Sequence, residues 1–253
     1  MISSVWNLLK KEFRSFFNTP IGYIILAIFF VGAGLFLWVF PGEYNVLNSG
    51  YANIDGLFVL APWLFLFLCP AVTMRLIAEE RQQGTIELLL TRPISACSLV
   101  VGKFLSAWLI MVIALIPAII WYATVYVLAE PMGNVDSGAF WGSFIGLLFL
   151  ASVYGAIGLF GSSITRNQLT AFVVSAIISF NIFYGFELIG SLFSDGDTTL
   201  FIKNIGIHAH YQSMSRGVLD SRDVLYMIII TVLFLLGAKT ALTQKNKFLH
   251  IKL

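Results

Sequence analysis

Six stretches of roughly twenty residues in this chain carry almost no charge, and no other feature limits its fold so strongly. They run approximately from Ile21 to Phe40, Leu57 to Met74, Phe104 to Leu128, Phe140 to Ile164, Thr170 to Phe193 and Val224 to Leu242. A helix of about twenty residues matches a bilayer core of roughly 30 Å, so each run reads as a membrane span. Charged residues make up only 11% of the chain, against about 25% in soluble proteins, which excludes a water-soluble domain. The expectation is an all-α polytopic membrane protein, a single transmembrane domain over residues 1–253.

Orientation follows from the positive residues, which are retained on the cytoplasmic side. Of the 15 lysines and arginines, only Lys203, Arg216 and Arg222 fall on one side of the spans. Both termini and the segment from Arg75 to Lys103 are therefore expected in the cytoplasm, beneath a bacterial inner membrane. The net charge of +2 reflects this asymmetry and gives no support for nucleic-acid binding. Cys69 and Cys97 both lie toward the cytoplasmic side, where disulfides are not expected.

Before the first span, Val5, Trp6, Leu9, Phe13 and Phe16 recur at helical spacing with Lys10, Lys11 and Arg14 on other faces. This predicts an amphipathic interfacial helix over residues 1–19, turned into the first span at Pro20. The second span contains Pro62 and Pro70, which predict a kink near its cytoplasmic end. Residues 75–103 then form a polar island. Glu79, Glu80, Arg81, Gln82 and Gln83 end the apolar run, Gly84 breaks it, and Thr85 is placed to cap a short helix from Ile86 to about Leu90, with Glu87 in its positive first turn. Thr91, Arg92 and Pro93 stop that helix, and Ser95 is placed to cap the next.

Within the fourth span, Ala151, Gly155, Gly158 and Ser162 share one helix face, a pattern of close helix packing. The fifth span holds Asn181 and Glu187. A carboxylate at membrane depth is costly, so these two are candidates for a pathway or interface. The loop 194–223 includes Phe201, Ile202, Ile205 and Ile207, which suggest one short, partly immersed helix. In that loop His208 and His210 have a spacing that suits a strand. With no Cys, carboxylate or third His nearby in sequence, they make weak metal ligands, and no metal site is expected.

A phosphate-cradling loop would need G-x-x-x-x-G-K-[ST]. The nearest approach, Gly102 and Lys103, has Cys97 and Phe104 at the flanking positions, so no ATP site is expected and the chain is not expected to be an enzyme. Any work it does must draw on another chain. The island EERQQGTIELLLTRPIS, Glu79 to Ser95, and the stretch SRGVLDSRDVLY, Ser215 to Tyr226, resemble the permease subunit of a type-2 ABC exporter. The resemblance covers the whole chain and is nearest to gliding-motility-associated permeases, with nitrous-oxide-reductase maturation permeases as relatives. It implies a type-2 ABC exporter permease fold and a docking role for Glu79, Glu80, Arg81, Gly84, Thr85, Ile86, Glu87, Leu88, Leu89, Thr91, Arg92, Pro93 and Ser95. It also implies a cytosolic ABC ATPase partner carrying ATP and magnesium, a second permease copy or paralogue, and a membrane-anchored outer-face accessory protein. The competing class is a membrane scaffold, or a haem- or quinone-holding protein, which an absorbance spectrum would identify.

Overall fold

The computed structural model describes residues 2–86 and 95–250, with side chains over 4–86 and 95–243. Helix α1 (Ile2–Phe17) leads into α2 (Pro20–Trp38), then α3 (Asp55–Gln82). After the connection come α4 (Ala96–Ala114), α5 (Ile116–Leu128), α6 (Ser137–Ile164) and α7 (Gln168–Phe180). A π-helical turn (Asn181–Gly185) continues into α8 (Phe186–Gly190), and α9 (Gly196–Lys203), α10 (Ile207–Met214) and α11 (Ser221–His250) complete the chain. No strand occurs among the described residues.

Six segments are long and apolar enough to cross a membrane: α2, α3, α4 with α5, α6, α7 through α8, and α11. Helices overrun the apolar windows because hydropathy reports hydrocarbon depth whereas the helix continues past it. Thus α3 runs on to Gln82 and α4 begins at Ala96, beyond the apolar windows that end at Met74 and begin at Phe104 and in agreement with the expected break at Gly84 and cap at Ser95. The third span is interrupted at Leu115, since Pro117 removes a backbone donor from the first turn of α5. Pro62 and Pro70, in contrast, lie inside one uninterrupted helix, α3.

The bundle is organised around α6, the most enclosed span. On α3, Trp63 meets Phe183 edge-on at 5.8 Å, and Tyr154 of α6 meets the same ring at 5.9 Å. Phe29 of α2 packs on Phe65 of α3 at 5.4 Å. Outward faces of α2, α7 and α11 present Ile24, Ile28, Val173, Ile177, Ile229 and Leu233. In lipid such faces need no cover.

Candidate functional site

Alternating spans give the bundle two ends. The basic end gathers α1, the exit of α3, the start of α4 and the last turns of α6 and α11; the far end holds α8 to α10. At the basic end α3 stops by a specific turn. Gly84 has φ +70°, the Thr85 N–H donates to the Glu80 carbonyl at 2.9 Å, and the Gly84 N–H donates to the Arg81 carbonyl at 3.3 Å. These are the paired bonds of a Schellman stop, which needs a left-handed residue that glycine supplies without strain. Ile86 is buried against the core. On the return, the Ser95 Oγ accepts from the Ser98 N–H at 3.1 Å and caps α4. Glu87, Leu88, Leu89, Leu90, Thr91, Arg92 and Pro93 lie outside the described residues, as do the side chains of the basic tail.

Between α1, the end of α3 and the first half of α4 sits a buried ionic cluster. Lys103 on α4 is fully buried, and its Nζ lies 2.9 Å from Glu12 Oε1 on α1, 2.8 Å from Glu80 Oε1 on α3 and 2.5 Å from the Leu76 carbonyl. The ammonium donates to Glu12 and to the Leu76 carbonyl and is ion-paired with Glu80. Lys11 stands 3.8 Å from both carboxylates at the exposed edge. Two acids thus share one enclosed cation, and the second oxygen of Glu80 is buried without a partner among the described residues. Helix α1 comes close because Gly102 leaves room: a Cβ there would stand 2.8 Å from Leu8. The packed seam of α1 is Leu8, Glu12 and Phe16, whereas Trp6, expected on the apolar face, is 54% exposed and sits beneath Lys10.

Neighbouring charges tie in the other elements. Arg75 donates to the Thr19 hydroxyl at 3.1 Å and lies 3.7 Å from Glu79. Arg81 reaches the Ala241 carbonyl of α11 at 3.4 Å. Ser162 of α6 donates to the Met74 carbonyl at 2.9 Å and accepts from the N–H groups of Ile77 and Ala78 at 3.1 and 3.0 Å. Higher on the same face, a Cβ at Gly158 would fall 2.0 Å from Thr73 Oγ1, Gly155 faces the Phe104 ring, and Ala151 is fully buried. This stripe brings α6 flush against α3 and α4.

The far end separates the residues that sequence spacing grouped. Two short helices, α9 and α10, occupy the loop where one was expected, and the histidines lie on a helix, not a strand, because Gly206 opens a turn that Ile207 and Tyr211 bury. His208 turns to Phe183, Tyr184 and Glu187, its Nδ1 3.7 Å from Glu187 Oε2, beyond hydrogen-bonding distance. Burial pushes this imidazole below the ordinary histidine range, and Glu187 offsets only part of the shift. His210 instead lies 2.7 Å from Asp223 Oδ1 and stacks on Tyr226. No group of three or more His, Cys, Asp or Glu with metal-binding geometry occurs among the described residues. Glu187 is paired with Lys203 at 2.5 Å, and Asn181 faces outward at the start of the π turn, its amide donating to the Ile177 carbonyl at 2.8 Å.

Sequence reading does not single out Glu12 or Lys103, the residues that join three helices at the basic end. One signal was available: Lys103 stands within the continuous apolar stretch that begins at Leu99, where a cation needs a partner. Among curated proteins, no match is found. A family model described as ABC-2 family transporter protein matches residues 6–244, nearly the whole chain from α1 to the end of the last span. With six membrane-crossing segments in an all-helical bundle, this multi-pass membrane protein belongs to the ABC-2 family of transporter proteins.

Proposed function

We propose that the chain is the permease subunit of an ABC exporter, with its basic end in the cytoplasm and residues 79–95 as the element on which a separate ATPase acts. The observation that carries this reading is the Glu12–Lys103–Glu80 cluster under both feet of the connection. A force applied to residues 83–95 reaches α3 through the Gly84 stop and α4 through the Ser95 cap. The buried ion pairs oblige α1 to follow, because separating them would strand charge in a dry site. Ser162 and the Gly158 contact pass the displacement to α6. ATP and magnesium belong to the partner in this scheme, and the permease supplies the path and the levers.

A second copy or a paralogue completes the pathway. Asn181 supports this, since an amide exposed on a membrane-crossing face loses less against protein than against hydrocarbon. Kinship with gliding-motility and nitrous-oxide-reductase maturation permeases rests on the island and the Ser215–Tyr226 stretch, and an outer-face accessory protein on the same kinship.

The test is co-purification of a P-loop ATPase, identified by peptide sequencing, with the permease from native membranes. Gly84→Pro cannot adopt the positive φ of the α3 stop, and Leu88→Asp places a charge on the expected docking helix. Each should lose the ATPase while the permease remains folded in the membrane. Full retention by both variants would place the energy source elsewhere. In a chain lacking Cys69 and Cys97, cysteines at Ser49 and Thr198 should react with an impermeant thiol reagent on intact cells. Labelling at Asn167 instead would reverse the orientation.

A further inference from the structure

At the far end, between the loop 41–54 and the loop 129–136, the bundle opens into a cleft of about 760 Å³. That volume falls within the range of small-molecule sites, about 300–1,000 Å³. Four aromatic residues line it: Tyr51 is exposed, Tyr122 stacks on the buried Phe140 at 4.1 Å, and the buried Phe58 meets Phe140 edge-on at 5.7 Å. Three carboxylates, Asp55, Glu130 and Asp136, line the same cleft, and no lysine, arginine or histidine does so among the described residues. None of the three is in an ion pair among the described residues. Asp136 spends one oxygen on the Ala139 N–H, at 2.9 Å, as the cap of α6.

This arrangement discriminates by charge. An anion entering the cleft would meet three uncompensated carboxylates. A compact inorganic cation would gain from the carboxylates but would leave the apolar part of the lining, Val46, Leu47, Val125 and Leu128, in contact with water. A cation whose charge is spread over an apolar body gains from both parts of the site. The carboxylates and the accessible rings of Tyr51 and Tyr122 attract its charge, and the apolar part of the lining removes its apolar surface from water.

We propose that this cleft is a binding site for a lipophilic organic cation. The site belongs to this chain alone and requires no ATPase, so its failure and the failure of the coupling scheme are separable.

The experiment uses the full chain in phosphatidylcholine nanodiscs, with tetraphenylphosphonium followed by equilibrium dialysis and uptake by empty discs subtracted. One saturable site per chain is expected. Tetraphenylborate, of the same shape and opposite charge, should show none. Asp55→Asn with Glu130→Gln and Asp136→Asn should weaken tetraphenylphosphonium binding by about tenfold or more, and asparagine at 136 retains the helix cap. Should that variant fold poorly, Glu130→Gln alone alters a loop residue and should weaken binding about threefold. Tyr122→Leu keeps the wall apolar while removing a π face, and should weaken binding by about the same factor. Absence of a saturable site, which is the result if the cleft instead seats a protein, overturns the proposal. So does equal uptake of both ions, or affinity unchanged in the charge variants.

Discussion

Replacing Lys103 by methionine isolates the contribution of the buried cluster, because the side chain keeps nearly its length and loses only its charge and donors. The wild-type ammonium is wholly enclosed and satisfied by Glu12, Glu80 and the Leu76 carbonyl, and the two carboxylates are only 12% and 14% exposed. Little solvent screening therefore applies. Without Lys103 the two carboxylates face only Lys11, 3.8 Å from each and 59% exposed, so one buried charge is left uncompensated; removing one partner of a buried pair costs about 3–5 kcal/mol. For a chain of this size each kcal/mol moves a thermal midpoint by about 2–4 °C, so Lys103→Met should lower it by about 6–20 °C. Neutralising the acids as well, with Glu12→Gln and Glu80→Gln, removes the stranded charges and should recover at least half of the loss, since buried ion pairs are often no more stable than neutral replacements. Tryptophan fluorescence during heating in detergent measures both. A single variant within about 2 °C of wild type would refute the claim that the cluster is dry. A triple variant less stable than Lys103→Met would refute the claim that stranded charge dominates.

Gly158→Ala forces a methyl against Thr73 and should cost about 1–3 kcal/mol, measured as the same midpoint, with Thr73→Ala in the same chain recovering part of it. No change would mean that α3 and α6 are not in the close contact described. Because burial lowers the folded-state value of His208, the unfolded chain takes up a proton first as pH falls through about 6.5, and stability drops there. His208→Phe keeps the ring contacts and should reduce the loss of midpoint between pH 7.5 and pH 5.5; an equal loss in both proteins would exclude His208 from that response. Glu187→Gln breaks a pair that is 26% and 29% exposed, so the stability change should stay below about 1 kcal/mol. A fall in transport-coupled ATPase rate at that unchanged stability is the expected sign of a pathway role, and an unchanged rate would leave Glu187 an ordinary loop-anchoring carboxylate.

The spans were legible because hydrophobicity over twenty residues is a local property that the bilayer reads directly. Caps at Ser95 and the break at Gly84 were legible for the same reason, each depending on one residue type and its near neighbours. Two things were not. The π turn at Asn181–Gly185 and the division of 194–223 into α9 and α10 depend on how Phe183, Tyr211 and Met214 pack against distant helices. The cluster at the basic end joins residues 12, 80 and 103, and no local pattern announces a pairing of Glu12 with a lysine 91 positions away.

Hydropathy windows that end at Met74 and begin at Phe104 leave Glu80 and Lys103 outside the spans, and although the Gly84 break and the Ser95 cap put both on helices, nothing local in the sequence brings them to Glu12. In the folded chain both lie on helices that run beyond those apolar windows, and α1 packs across them. Enclosure by protein at that point resolves a physical conflict. A charge at the bilayer centre is prohibitively costly, and one in water forms only a weak tie, but at the boundary protein can exclude water while lipid headgroups remain close. Separating such a pair would strand charge, so the joint ties α1, α3 and α4 to one another. Under the coupling proposed above, that tie would carry motion from the ends of α3 and α4 to α1.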